Sequence, residues 1–127
     1  MNDISLTKTT TTPAITARVA DGFVEIDGDS YPENSVDFFQ PIFQWFRDFM
    51  ATQKRHLTVH FRMPYFNTSS SKCLLDILDM LQSYHYTSGG AVEVTWWYDE
   101  NDDDMLESGK ELGDGLDLKF LFMPYAD

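Results

Sequence analysis

Between His56 and Tyr65 polar and apolar residues alternate without interruption, with Leu57, Val59, Phe61, Met63 and Tyr65 set against His56, Thr58, His60 and Arg62. A period of two predicts a strand with one buried and one wetter face. The same alternation runs through Ile15, Ala17 and Val19 and resumes at Val24 and Ile26 beyond the turn signal Asp21-Gly22, which reads as a hairpin. It returns at Val92, Val94, Trp96 and Tyr98, and once more at Leu118, Phe120 and Phe122, where Pro124 is expected to close the strand.

Two longer segments change period. Val36, Phe39, Ile42, Phe43, Phe46, Phe49 and Met50 recur at helical spacing and predict a helix from Ser35 to Ala51, kinked or broken near its start by Pro41. Leu74, Leu75, Ile77, Leu78 and Leu81 predict a second helix starting at Cys73 and ended by Gly89-Gly90. The acidic loop Asp99 to Asp104 leads into a short third helix over Met105 to Leu112, which Asp102 to Asp104 cap and charge.

The predicted order is β-β-α-β-α-β-α-β, an α/β fold with a mixed five-stranded sheet and parallel, right-handed connections between helix-linked strands. Residues 13–127 are expected to form one domain, and residues 1–12, with Thr9 to Thr12 in a run, a flexible N-terminal tail or a lead-in to a sheet edge. Parallel strands covered on both faces read as continuous apolar runs, whereas these alternate, so the helices are expected mainly on one face. Phe23, Trp97, Leu121 and Met123 then fall on the other face and make it partly apolar, which a docking surface, an edge effect or coverage by the N-terminal tail would explain equally well.

A chain of 127 residues has room for one core, and a net charge of −12 repels both nucleic-acid phosphates and anionic membrane surfaces. Cys73 is the single cysteine and reads as a buried small hydrophobe in a reducing compartment. No apolar run approaches a membrane span, and Met1-Asn2-Asp3-Ile4-Ser5 has neither the basic segment nor the apolar core of a signal, so a cytoplasmic location is expected.

Metal and catalytic chemistry find little support. His56 and His60 share a strand face about 13 Å apart, too far for one ion. His85 stands near a helix end, where the dipole accounts for it. Asp99, Asn101, Asp103 and Asp104 resemble a calcium loop only in part, since Asp104 occupies the position of the turn glycine and Lys110 that of the bidentate Glu. There is no glycine-rich phosphate loop, nucleophile elbow, HExxH motif or paired-carboxylate cleft, so neither an enzyme nor a cofactor is expected. An enzyme using His60 or His85 as base is a weak third reading without a cleft to support it.

The remaining candidate is Asn67-Thr68-Ser69-Ser70-Ser71-Lys72, a hydroxyl run between a predicted strand and a predicted helix. Capping by Asn, Ser or Thr is the ordinary explanation. The same place also suits a phosphate, because free backbone N–H groups and the helix dipole favour negative charge there. A second loop, Asp29-Ser30-Tyr31-Pro32-Glu33-Asn34-Ser35, has a cap in Asn34 or Ser35 and a stiffening Pro32, but capping does not require Tyr31 or Glu33.

Gly28-Asp29-Ser30-Tyr31-Pro32-Glu33-Asn34-Ser35, then Tyr65-Phe66-Asn67-Thr68-Ser69-Ser70-Ser71-Lys72, then Trp97-Tyr98-Asp99 resemble the SiaC family of bacterial regulatory phosphoproteins, with a match from Thr12 to Met123. The resemblance implies a STAS-like domain, similar to anti-sigma-factor antagonists, in which Thr68 carries a reversible phosphate. It further implies a serine/threonine kinase, a PP2C-like phosphatase and a diguanylate cyclase as partners. On this resemblance the unmodified form would bind and activate the cyclase and so set cyclic di-GMP and biofilm or aggregation. Asn67, Ser69, Ser70, Ser71, Tyr31, Pro32, Glu33 and Asn34 would surround the phosphosite, the neighbouring serines competing as acceptors. The alternative is a STAS-like module that holds a small anion or nucleotide at the helix start without covalent change.

Overall fold

The computed structural model describes residues 1–87 and 91–126. The expected helix stop at Gly89-Gly90 lies outside the described residues. The elements are β1 (Ile4–Leu6), β2 (Ala14–Arg18), β3 (Phe23–Asp27), α1 (Ser35–Thr52), β4 (Leu57–Arg62), α2 (Thr68–Thr87), β5 (Val92–Asp99), α3 (Asp103–Gly113) and β6 (Lys119–Tyr125).

The sheet has six strands in the order β1-β2-β3-β4-β5-β6, one more than the sequence predicts. The additional strand comes from the expected tail, where Ile4, Ser5 and Leu6 pair antiparallel with Ala17, Thr16 and Ile15. A three-residue edge strand is too short to declare itself by alternation; its partner supplies the order. The β2–β3 hairpin turns over Val19 to Gly22, closed by Gly22 N–H donating to Val19 O at 3.2 Å. Gly22 has φ 59° and sits against the His56 carbonyl, so a side chain is excluded there on both counts.

From β3 onward every strand is parallel to its predecessor and lies beside it. Right-handed crossovers that always step in one direction place α1, α2 and α3 on the same face of the sheet. Because the strand order never reverses, no central crevice opens of the kind that houses ligands in doubly wound sheets.

The covered face is a single core in which Val24, Ile26, Val59, Phe61, Val94 and Trp96 meet Phe39, Phe46 and Phe49 of α1 and Leu74, Ile77 and Leu81 of α2. Helix α1 continues through Pro41, contrary to the predicted break. Pro41 is exposed, and the buried residues on both sides of it outweigh a local cost of about 3 kcal/mol. The apolar stripes shift slightly: Val36 and Leu75 are exposed, while Trp45 and Tyr84 are buried. Strand β6 runs on through Pro124 to Tyr125, because an edge strand can lack one donor on its open side.

The other face carries neighbouring rows read directly from the register. Phe23, Thr58, Glu93 and Lys119 form one; Glu25, His60, Thr95 and Leu121 the next; Asp27, Arg62, Trp97 and Met123 the third. No helix among the described residues is long and apolar enough to cross a membrane.

Candidate functional site

The two loops singled out in the sequence meet. Beyond the ends of β3 and β4 the parallel ladder extends by an isolated bridge between Ser30 and Phe66. Ser30 N–H donates to Tyr65 O and Asn67 N–H donates to Ser30 O, each at 3.0 Å. This bridge holds the starts of α1 and α2 at the same height. Tyr31 N–H also donates to Thr11 O at 2.8 Å, tying the N-terminal segment to the loop.

Helix α2 starts at Thr68, five residues before the predicted Cys73, so the hydroxyl run forms its first turns instead of preceding it. Asn67 is the cap: its Oδ1 accepts from Ser70 N–H at 2.9 Å and from the Ser69 hydroxyl at 3.2 Å. Helix α1 is capped in the same way by Asn34, whose Oδ1 accepts from Asp37 N–H at 3.1 Å.

Behind the caps lies a hydroxyl cluster joining the two helix starts. Ser30 and Ser70 are 2.7 Å apart at Oγ, Ser35 and Ser70 3.1 Å, and Ser35 and Ser69 2.8 Å. Ser30, Ser35 and Ser70 are buried. Small hydroxyls suit this position because each can donate and accept, so a chain of them running Ser30–Ser70–Ser35–Ser69 and ending on Asn67 Oδ1 gives each buried hydroxyl a partner. Ser71 faces elsewhere, lining with Phe66, Leu75, Ser108, Glu111 and Leu112 a cleft of about 220 Å³ between α2 and α3.

Thr68 stands outside the cluster, exposed at the first position of α2. The first turn of α2 carries no acid, unlike those of α1 with Asp37 and α3 with Asp103 and Asp104. Lys72 follows one turn later, also exposed. In the loops leading into the two helices the rings of Tyr31 and Tyr65 meet edge to face at 5.8 Å, 38% and 53% exposed respectively, which makes an aromatic ledge. Pro32 is half-buried, and the exposed Glu33 takes part in neither cap nor cluster.

The sequence reading brought out Asn67, Thr68, Ser69, Ser70 and Tyr31, which the fold brings together. It did not assign Ser30 and Ser35 to the site, although both lie in the motif. Their partners are thirty to forty residues away in the chain, and no local pattern records such a pairing.

The side chains that could do chemistry are otherwise engaged. The His60 Nδ1 accepts from the Trp97 indole N–H at 3.1 Å, and the His85 Nδ1 accepts from Val92 N–H at 3.1 Å. Burial, and secondarily the charge of Asp76, pushes the Cys73 thiol above its ordinary value, which opposes thiolate formation. Among the described residues no group of three His, Cys, Asp or Glu is placed to hold a metal.

The family model for SiaC family regulatory phosphoproteins matches residues 6–125. An uncharacterized protein of Pseudomonas aeruginosa (strain UCBPP-PA14) is 36% identical over 127 residues, covering 100% of both chains. The crystal structure of apo-SiaC from Pseudomonas aeruginosa is 34% identical with a TM-score of 0.90, over 97% of this chain and 99% of that one. A chain in the crystal structure of the diguanylate cyclase SiaD in complex with its activator SiaC, from the same organism, is 33% identical with a TM-score of 0.92, over 97% of this chain and 100% of that one.

Proposed function

This chain belongs to the SiaC family of regulatory phosphoproteins, and we propose that it is a non-enzymatic switch whose Thr68 hydroxyl accepts a phosphate that controls docking to a diguanylate cyclase. The observation that carries the assignment is the contrast among neighbours. Thr68 is exposed and outside the hydroxyl cluster, Ser69 is bonded to Ser35 and Asn67, and Ser70 is fully buried. Ser69 is exposed as well, so among the described residues Thr68 is set apart as the exposed hydroxyl of the helix start that no hydrogen bond engages. A serine/threonine kinase would modify it, and a PP2C-like phosphatase would reverse the step.

Phosphorylation adds nearly two negative charges and three acceptor oxygens at that point. The amides of the first turn and Lys72, four residues on, would meet the phosphate favourably, so the modification leaves the helix folded. The effect falls on the partner instead. A cyclase surface that covers the Tyr31–Tyr65 ledge and the neutral threonine would have to strip water from a dianion, a cost that favours dissociation. Unmodified protein then activates the cyclase, raising cyclic di-GMP and promoting biofilm formation.

Phosphopeptide mapping after kinase treatment should place the group on Thr68 alone, and cyclase turnover should rise with the unmodified protein and fall back on phosphorylation. A phosphate on a neighbouring serine, or turnover indifferent to this protein, overturns the reading.

A further inference from the structure

At the carboxyl ends of the parallel strands, on the sheet face away from the helices, lies an open cavity of about 750 Å³. Its walls come from Asp27 of β3, Arg62 of β4, Asp99 of β5 and Tyr125 of β6, closed by Lys8 on one side and Met105 on the other. The volume falls in the range of small-molecule sites.

The charges in this cavity are incompletely paired. Arg62 lies beside Asp27 in the register, yet no ion pair joins them; its guanidinium is laid instead on the Tyr125 ring, 4.0 Å from the centroid. Stacking occupies the face of the guanidinium and leaves its edge donors for a bidentate acceptor. The Lys8 stem is pressed against Gly28, where its Cδ is 2.7 Å from the position a Cβ would take, so the ammonium is carried to the same corner without an ion pair among the described residues. One oxygen of Asp99 is spent on Asn101 N–H and one of Asp102 on Met105 N–H, whereas among the described residues no hydrogen bond or ion pair engages the Asp27 carboxylate.

Two cations and a carboxylate thus face one space, and none of them is ion-paired among the described residues. A polyanion is disfavoured, since three carboxylates line the cavity and the whole chain carries −12. A simple cation would leave Arg62 and Lys8 unused. A net-neutral molecule bearing both signs satisfies every group and meets no long-range repulsion. We propose that this cavity binds a small zwitterion of the amino-acid class, its carboxylate on Arg62 and Lys8 and its ammonium on Asp27.

Calorimetric titration of the whole protein with each of the common L-amino acids, with acetate and methylammonium as single-charge controls, tests the assignment. At least one amino acid should saturate the protein with a Kd of about 1 mM or below, and neither control should. Arg62→Gln and Asp27→Asn, each checked for native circular dichroism, should weaken binding about tenfold or more. Asp27→Asn preserves shape, so it keeps the test alive should Arg62→Gln fail to fold. Binding by Thr68→Ala should match the unaltered protein, which separates this site from the phosphate switch. Absence of saturation by any amino acid, equal binding of acetate, or unaltered affinity in Asp27→Asn overturns the proposal.

Discussion

The hydroxyls of Ser30 and Ser70, forty residues apart in the chain, lie 2.7 Å from each other in a place no solvent reaches. Ser30 follows β3 and Ser70 belongs to the first turn of α2, so this contact pins one strand-to-helix connection against the next. Ser70→Ala removes the shared partner of Ser30 and Ser35 and should destabilise the fold by about 1–3 kcal/mol in denaturant unfolding. The double substitution Ser30→Ala with Ser70→Ala should cost less than the sum of the two single changes, since neither then leaves the other unpaired. Additive losses would mean that the hydroxyls do not act as a pair.

The cap of α2 is Asn67 and not the threonine after it. Asn67→Ala should cost about 1 kcal/mol, as the loss of a helix cap does. Thr68→Ala, at an exposed position outside the cluster, should stay within about 0.5 kcal/mol of the unaltered protein while abolishing kinase acceptance. Thermal unfolding of the two variants side by side distinguishes cap from acceptor, and a larger loss in Thr68→Ala than in Asn67→Ala contradicts the division of roles.

Gly109 lets α3 rest on the sheet. A Cβ at that position would lie 2.5 Å from Cδ1 and Nε1 of Trp96, whose indole N–H also donates to Met105 O at 3.1 Å. Gly109→Ala should therefore push α3 off the Trp96 ring and cost about 1–3 kcal/mol, despite the better helix propensity of alanine. The near-ultraviolet circular dichroism of the tryptophans reports that shift, and an unperturbed signal with unchanged stability would refute it.

Tyr84 is buried, and its hydroxyl donates to Arg55 O at 2.6 Å. Burial raises its pKa above the ordinary 10.0, against the opposing pull of that backbone bond and the Arg55 charge. A folded pKa above the unfolded one means that the native state holds the proton more tightly. The corresponding stability is complete below pH 10 and is lost as pH rises above it. Unfolding midpoints should fall more steeply above that pH in the native chain than in Tyr84→Phe, and parallel curves would argue against the assignment.

Much of the fold was legible in the chain. Period-two alternation marks β2 to β6, helical spacing marks α1, and the acidic first turn marks α3, because burial on one face imposes these patterns wherever an element spans the core. Strand β1 is too short to show a period. Pro41 predicts a break that packing overrides, and the hydroxyls of the first turns of α2 look like loop residues because Ser, Thr and Asn favour caps as strongly as turns.

By itself, then, the chain determined the kind of each principal element, the −12 charge that turns away polyanions, and the motifs around Ser30 and Thr68 that mark its family. Only the tertiary structure decided which hydroxyls are free. Thr68 and Ser70 are two residues apart and chemically alike, yet one faces solvent and the other is sealed against Ser30 and Ser35. A helix turns about 100° per residue, so what separates them is the position of a second loop brought alongside by the parallel pairing of β3 and β4. The cavity around Arg62 has the same origin, gathering side chains from strands that are far apart in sequence and adjacent only in the sheet.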